Sequence, residues 1–324
     1  MFDKINQLSP QTRMMLAVVV CVLFFIPYSY YVAPPVAATN ATKPNIQDQS
    51  ESIAPTPSTE ISVATQAAVP RMEDVESSEI LFEVCSPHFH LIFDKQGQMA
   101  QATLLGNRYG EKGKVALLNA SDLRPLELRF SNKDLMQHAA HNPYRVLSAQ
   151  THIELTDSPQ EVLIEQNLDA DNSFAVRKKF LFYPDGHYEL EVFGQKSGEA
   201  ADLGAFFVSV GARPVADNDS FVFKGAMVRK NDGKIETFED GDVTSEVKID
   251  AATFLAAVDR YYANVLYVNE GQSFPAAVVV GRDNNPAMFA SFSNHAQIFG
   301  YVGAKDLQHL KHIDPILGDV VEYG

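Results

Sequence analysis

Two histidines, His88 and His90, stand two residues apart in a run of aliphatic and aromatic residues, a spacing that could serve metal binding. In a β-strand, residues i and i+2 point to the same side of the sheet, so both imidazoles would share one face. A zinc site needs three or more protein ligands, and no Cys pair or HExxH motif nearby supplies the third. The pattern therefore favours two histidines on a sheet surface, and we predict that the chain binds no metal.

A group of carboxylates later in the chain has the residue types that hard cations such as calcium prefer. Its members are Glu236, Glu239, Asp240, Asp242 and Glu246. The order of an EF-hand loop is absent, because the run lacks Asx residues at alternate positions before a glycine and a closing Glu at the proper distance. A solvated turn is the better explanation.

The other histidine pairs do not select a catalytic group. His309 and His312 are three residues apart on a predicted helix and would form a polar face, whereas His138 and His141 precede Asn142-Pro143 in a predicted solvated loop. Acid–base catalysis needs two groups positioned around one substrate, and no spacing here picks out such a pair. No Ser, Cys or phosphate-loop motif is present either. We predict no catalytic residue, no cofactor and no enzymatic activity.

The elements that would position these residues are short alternating runs rich in β-branched and aromatic residues, separated by turn formers such as Pro184-Asp185-Gly186. Strands are predicted at 80–84, 88–93, 99–105, 126–130, 145–155, 162–168, 174–183, 188–193, 205–212, 221–229, 243–249, 254–258, 263–268, 276–281 and 288–293. This many strands at spacings of about ten residues, without a helical period between them, predicts an all-β sandwich of two large sheets. A barrel is the less favoured arrangement.

An uncharged run of 19 residues extends from Met14 to Val32 near the N-terminus. A helix of this length rises about 28 Å, close to the thickness of a bilayer's hydrocarbon core. Lys4 and Arg13 precede the run and no basic residue follows it until Lys43, so the positive-inside rule places the N-terminus in the cytoplasm. We predict a transmembrane helix with the remainder of the chain outside.

A cleaved signal peptide is the competing interpretation of this segment, because small residues follow it at 36–38. The apolar run is longer than the usual core of a signal, and Pro34 and Pro35 stand just before the possible cleavage site. These features favour a retained span.

Composition restricts what the outer part can bind. Only Asp3, Lys4 and Arg13 are charged before residue 33, so residues 33–324 hold 24 Lys+Arg and 40 Asp+Glu, a net charge of −16. Such a surface repels phosphate backbones, which excludes nucleic acid as a partner. Cys21 and Cys85 have no evident way to pair, and Cys85 is predicted to be a small buried apolar residue.

Near the C-terminus, apolar residues recur at intervals of three and four, which predicts an amphipathic helix over 305–317. They are Leu307, Leu310, Ile313 and Leu317. Pro315 would fall in the last turn, and Gly318 would close the helix.

Four stretches of this chain match a known pattern in order. They are 16–25 after Gln11-Thr12-Arg13, FLAAVDRYY at 254–262, YVGAKD at 301–306 and DVVEYG at 319–324. Together they resemble the YidC family of bacterial membrane insertases, in the form with a large periplasmic domain between its first and second spans. Phe254 stands where a Trp is common in the family, and Ala304 replaces a Pro. Over residues 80–250 only the strand pattern supports the resemblance.

The resemblance implies a fold, a division of the chain into domains, and the part of the family's protein that this chain represents. The outer domain would be a β-supersandwich of the galactose-mutarotase type, preceded by one transmembrane helix and followed by a short amphipathic helix. The division is then 1–32 for the cytoplasmic N-terminus and span, 33–77 for a flexible Pro/Ala/Thr-rich linker, 78–303 for the periplasmic domain and 304–324 for the helix and the lead-in to a second span. The family's polar groove, among five later spans, would follow residue 324.

The resemblance also implies a function. The full protein would assist insertion and folding of inner-membrane proteins, alone or with the Sec translocon, and this portion would act as a scaffold and interaction domain. Its partners would be nascent membrane proteins, Sec translocon components and the lipid bilayer through the Met14 to Val32 span. A membrane-anchored carbohydrate-binding or mutarotase-like periplasmic enzyme and a stand-alone envelope-assembly adaptor are the alternatives.

Overall fold

The computed structural model describes residues 80–106, 113–118, 123–214 and 223–322, and these residues form mainly β-strands. The predicted membrane helix from Met14 to Val32 and the predicted linker at 33–77 lie outside the described residues. Within the described ranges, no helix is both long and apolar enough to cross a membrane.

The described part of the chain contains nineteen strands and a few short helices. The strands are β1 (Ile80–Cys85), β2 (Phe89–Asp94), β3 (Met99–Leu105), β4 (Lys114–Ala116), β5 (Leu128–Phe130), β6 (Arg145–Val146), β7 (His152–Glu154), β8 (Gln160–Asn167), β9 (Phe174–Phe182), β10 (His187–Lys196), β11 (Glu199–Ala201), β12 (Ala205–Ser209), β13 (Gly225–Lys230), β14 (Ile235–Glu239), β15 (Val247–Val258), β16 (Tyr262–Tyr267), β17 (Phe274–Val280), β18 (Pro286–Ser293) and β19 (His295–Ala304). The helices are α1 (Lys133–His141), α2 (Leu307–Ile313) and α3 (Asp319–Glu322), with 3-10 turns at Arg282–Asn284 and Pro315–Gly318.

The strands form two sheets of very different size. The smaller sheet has five strands in the order β4-β3-β2-β1-β7, in which only the β1–β7 pair is parallel. The larger sheet has fourteen strands, with the main order β5-β12-β18-β17-β15-β16-β19-β10-β9-β8-β6 and with β11, β13 and β14 attached at its side. The prediction of a mainly β domain is confirmed, and most of the predicted strands are found. The single strand predicted at 145–155 is divided into β6 of the larger sheet and β7 of the smaller one.

Strand β15 joins two parts of the larger sheet. Residues 247–252 pair with β17, whereas residues 254–258 pair with β16 and also with β13. A register irregularity between Ile249 and Ala252 marks the change of partner. The sequence predicts two strands here, at 243–249 and 254–258, but the chain continues through the irregularity as one strand, because a β-bulge bends a strand without ending it.

The structure corrects the prediction of a loop around His138 and His141. Both residues lie in helix α1, where the Asn132 side chain accepts hydrogen bonds from the Asp134 and Leu135 amides at 2.9 and 3.3 Å. This N-cap satisfies two of the backbone donors that a helix leaves unpaired at its start. The prediction was wrong because the helix is short, and its cap carries more of the signal than its apolar periodicity.

Aromatic side chains form the contact between the two sheets. Phe82 of β1 and Phe93 of β2 stack with their ring centroids 4.3 Å apart, and both lie against Phe180 and Phe182 of β9 at 5.2–6.1 Å. All four side chains are buried. They belong to a single core cluster that draws residues from both sheets, so the smaller sheet packs on the larger one through this cluster.

A buried lysine crosses the same contact. Lys178 of β9 has no exposed surface, and its Nζ donates hydrogen bonds to the Gly97 carbonyl at 2.7 Å and to the Leu126 carbonyl at 2.8 Å. The ammonium also lies 4.9 Å from the centroid of the Tyr144 ring. Gly97 and Leu126 have φ values of +65° and +69°, a conformation that is costly for leucine, so the lysine holds two tight turns in place.

The lysine is accompanied by a buried ion pair in the β2–β3 turn. The Asp94 carboxylate pairs with Arg124, and its Oδ1 accepts the Gln96 and Gln98 amides at 2.8 and 3.0 Å. Burial lowers the pKa of Lys178 to about 7, against the smaller opposing effects of the Asp94 and Glu127 charges. Burial therefore favours the neutral amine of Lys178 over the charged ammonium.

Because Lys178 has a pKa of about 7 in the folded chain and 10.5 when exposed, the unfolded state binds more protons between these values. We expect the free energy of unfolding to rise with pH from 7 to 9, by up to about 1.4 kcal/mol per pH unit. Urea unfolding curves at pH 7, 8 and 9 measure this rise. The Lys178→Met variant should lose it, and an equal pH slope in both proteins would show that Lys178 is not its source.

Candidate functional site

The described residues end in a helical segment, residues 307–322, which consists of α2, the 3-10 turn Pro315–Gly318 and α3. The Asp306 carboxylate caps α2 by accepting the Gln308 and His309 amides, both at 3.1 Å. Asp314 adopts an extended conformation and caps the 3-10 turn by accepting the Ile316 amide at 2.9 Å. The predicted helix over 305–317 is thus divided at Asp314, because Pro315 begins a new turn and lacks the amide that would continue the first helix.

The apolar side of the helical segment is covered by the larger sheet. Leu310, Leu317 and Val320 have no exposed surface. They form a second core cluster with residues of β13, β15, β16 and β19: Met227, Phe254, Ala256, Val258, Ala263, Val265, Tyr267 and Tyr301. The apolar face that sequence periodicity predicts therefore packs on the larger sheet.

The second half of strand β15, residues 254–258, is buried on both faces, which explains its uninterrupted apolar sequence. Leu255 and Ala257 belong to the main core, whereas Phe254, Ala256 and Val258 belong to the cluster beneath the helical segment. Side chains alternate between the two faces of a strand, and a strand covered on both sides reads as a continuous apolar run. The stretch at 254–262 is thus mainly core, and Tyr261, 52 % exposed, is its outward residue.

Polar contacts fix both ends of the helical segment. The Arg229 Nε of β13 lies 2.7 Å from the Asp319 Oδ2, and its guanidinium also donates to the Thr253 hydroxyl at 3.1 Å. At the other end, the His309 ring lies within hydrogen-bond distance, 2.8 Å, of the Asp185 carbonyl in the β9–β10 turn. These contacts and the apolar cluster hold the segment in one position on the sheet.

The structure separates the histidines that the sequence paired. His309 contacts Asp185 while His312 is exposed, so the two do not act together. His88 lies in the turn before β2 and is exposed. His90 points along the smaller sheet, where its Nε2 is 2.7 Å from the Glu83 Oε2.

Glu83 also contacts His152, a histidine too distant in sequence for spacing to link the two residues. The Nδ1 of His152 on β7 lies 2.8 Å from the Glu83 Oε1, across a sequence separation of 69 residues. Hydrogen bonds from His152 and His90 lower the pKa of the Glu83 carboxyl, and hydrogen bonds to Glu83 and Glu154 raise the pKa of His152. Cys85 follows on the same face of β1, and burial raises the pKa of its thiol. The parallel pairing of β1 with β7 creates this group, and no local pattern predicts it.

The carboxylates at 236–246 are directed towards different partners. Glu236 pairs with Lys230, and Asp240 pairs with Arg213. Asp242 accepts the Glu239 amide at 2.9 Å within a turn. Glu236 and Glu239 lie in strand β14, so the predicted solvated turn is limited to the residues after that strand.

Comparisons with known proteins agree in their descriptions. No family model matches the chain. A protein of Wolinella succinogenes named "Membrane protein insertase YidC" is 36% identical over 326 residues, which cover 100% of this chain and 59% of that protein. Proteins of the same name are 33% identical in Campylobacter jejuni subsp. jejuni, covering 98% of this chain and 58% of that protein, and 29% identical in Helicobacter pylori strain 26695, covering 96% and 59%.

The chain therefore spans a little under three fifths of the length of these relatives, 58–59%. Among solved structures, the periplasmic domain of the Thermotoga maritima YidC is 10% identical with a TM-score of 0.34, covering 78% of this chain and 96% of that one. A likeness of that size adds nothing to the sequence comparison.

The buried side chains of the helical segment should carry much of its attachment to the sheet. Leu310→Ala and Leu317→Ala each remove apolar contacts at fully buried positions, so we expect each to lower the free energy of unfolding by about 2–5 kcal/mol. Denaturant unfolding measures the loss. Gln308→Ala on the exposed side of α2 is the matched control and should change stability by less than about 0.5 kcal/mol. Equal effects at all three positions would contradict the packing described.

Proposed function

We infer that this chain is the N-terminal, largely periplasmic portion of a membrane protein insertase of the YidC family. The observation that carries this inference is the similarity to insertases of 29–36% identity across 96–100% of the chain. The resemblance found in the sequence is thereby confirmed along its length. Because the chain spans a little under three fifths of these relatives, insertion of membrane proteins is proposed as the activity of a whole protein to which this portion contributes.

We propose that the whole protein resides in the bacterial inner membrane. Met14 to Val32 would form the first span, with the N-terminus in the cytoplasm and residues 78–303 in the periplasm. The uncharged length of the run and the position of Lys4 and Arg13 support this orientation. Residues 33–77 would tether the domain, since their composition cannot bury enough apolar surface to order them.

The two sheets are proposed to form a β-supersandwich of the galactose-mutarotase type. Three features support this arrangement: a fourteen-stranded sheet, a second sheet packed against it through an aromatic core, and a long strand, β15, that changes partners midway. The first two supply the layers, and the third lets one continuous sheet change direction.

The helical segment suggests how the domain serves as a scaffold. It would lead from the sheet towards a second membrane span, and its apolar face is committed to the sheet, so it cannot also enter the bilayer through Leu310 and Leu317. We propose that it fixes the distance and angle between the domain and the membrane. The Arg229–Asp319 pair and the His309–Asp185 contact restrict rotation of the segment.

The partners proposed for the whole protein are nascent membrane proteins, the lipid bilayer and components of the Sec translocon. The first two follow from the activity named for the relatives. The role is proposed to be non-enzymatic, and whole-chain similarity to insertases favours it over a sugar-binding enzyme or a stand-alone envelope adaptor.

Cysteine labelling tests the proposed topology. In a background of Cys21→Ser and Cys85→Ser, Gln7→Cys should react with a membrane-impermeant maleimide only after the cells are permeabilised. Thr56→Cys should react in intact spheroplasts, because the positive-inside rule places it outside. Labelling of Gln7→Cys in intact spheroplasts would reverse the orientation, and loss of the N-terminal residues from the mature protein would indicate a cleaved signal.

Complementation tests the function. The complete gene product should restore insertion of a model inner-membrane protein in bacteria depleted of their own insertase, measured by protease protection of the client. Leu310→Asp with Leu317→Asp places two charges in a buried apolar contact and should release the helical segment, reducing insertion at equal protein levels. Gln308→Asp with His312→Asp places the same charges on the exposed side of α2 and should leave insertion unchanged. Failure of the wild type to restore insertion would overturn the proposal.

A further inference from the structure

Five side chains with metal-ligating atoms share the outer face of the smaller sheet. Glu83 and Cys85 lie on β1, His90 on β2, and His152 and Glu154 on β7. In the strand pairing, Glu83 lies beside His152, whereas Cys85 lies between His90 and Glu154. The residues that alternate with them, such as Phe82 and Val84, are fully buried in the core. The five polar side chains therefore point away from the core and towards solvent.

Three of these residues bring their ligand atoms into one small space. One carboxylate oxygen of Glu83, the Cys85 Sγ and one ring nitrogen of His152 all lie within 4.8 Å of one another, and no other such triad occurs in the described residues. With bonds of about 2.0–2.3 Å, a tetrahedral zinc ion separates its ligands by about 3.2–3.8 Å. Small rotations of these partly or fully exposed side chains would bring the three atoms to these separations.

The two remaining residues support the ligands from outside. His90 contacts the second Glu83 oxygen at 2.7 Å, and Glu154 lies 3.5 Å from the Nε2 of His152, the ring nitrogen opposite the one that faces Glu83. Metal-binding histidines commonly donate their other N–H to a carboxylate, and metal-binding carboxylates are themselves hydrogen-bonded. The orientation of both ligands is thus supported before any ion binds.

The sequence predicts that the chain binds no metal, but strand pairing assembles a ligand set that spacing along the chain does not show. We propose that Glu83, Cys85 and His152 form a binding site for a thiophilic divalent transition-metal ion such as Zn²⁺. A ligand set of one thiolate, one imidazole and one carboxylate suits zinc and its neighbours, whereas calcium and magnesium require oxygen ligands. The face is half-exposed, so water would complete a tetrahedral coordination. Thiolate and carboxylate charges would offset that of the ion.

The metal would join the parallel β1–β7 pair from outside the core. β7 is a three-residue edge strand with little backbone pairing of its own, so a shared ion would strengthen its attachment to β1. Strand β1 is the first described strand after the N-terminal residues, and the site would stabilise it at the beginning of the domain. This role is separate from insertion and goes beyond the proposed function.

Zinc titration of the full chain, monitored by calorimetry in a Cys21→Ser background, tests the site. We expect one Zn²⁺ per chain, with Co²⁺ giving a thiolate charge-transfer band in the near ultraviolet. Cys85→Ser and His152→Ala should each weaken zinc binding more than His90→Ala, which should cost about tenfold or more as a supporting residue. His88→Ala, an exposed neighbour outside the triad, is the control and should bind as the parent does. Unchanged zinc binding in both Cys85→Ser and His152→Ala would overturn the proposal.

A second measurement avoids dependence on variants that fold poorly. Zn²⁺ should slow alkylation of Cys85 in the parent chain, because the bound thiolate is no longer free to react, whereas Mg²⁺ should have no effect. His152→Ala should lose this protection while keeping the circular dichroism spectrum of the parent. Equal alkylation rates with and without Zn²⁺ in the parent would overturn the site even if the domain and the insertase are intact.

Discussion

A buried lysine at the contact of two sheets is the constraint on which the arrangement of this domain depends. Removing an ammonium from water is costly, and Lys178 is tolerated without exposure because two carbonyls and an aromatic face surround its Nζ. Those carbonyls belong to Gly97, in the turn of the smaller sheet, and Leu126, just before the larger sheet's edge strand. One side chain thus fixes the position of three chain segments, and the aromatic core fills the space around it.

This joint determines where the outer features of the domain lie. With one face of the smaller sheet pressed on the larger sheet, its other face is left to solvent, and the Glu83 group occupies that face. On the far side of the larger sheet, β15 and its neighbours present a second apolar face, which the helical segment covers. The domain therefore has three layers over part of its area, and the helical segment is one of them.

The degree to which sequence predicts this structure depends on the range of each interaction. Strand positions were predicted well because alternation of side chains is local, and the apolar period of residues 307–317 found the helical segment for the same reason. Helix α1 and strands β4, β11, β14 and β19 were missed. A short helix depends on one cap at Asn132, and the glycines and polar residues of β19 weaken its alternation, so neighbouring strands and not its own pattern define it.

By itself, the sequence determined the mainly β class, the two-residue and three-to-four-residue periods of the elements, and the resemblance to an insertase family. Only the tertiary structure decided that Leu310 faces a sheet, that Lys178 is inside, and that His152 and not His88 meets Glu83. The physical reason is that strand pairing and register are set by hydrogen bonds between distant segments, and burial depends on which segments meet. The residues next to a given position in the chain do not show which distant segment it will pair with or pack against.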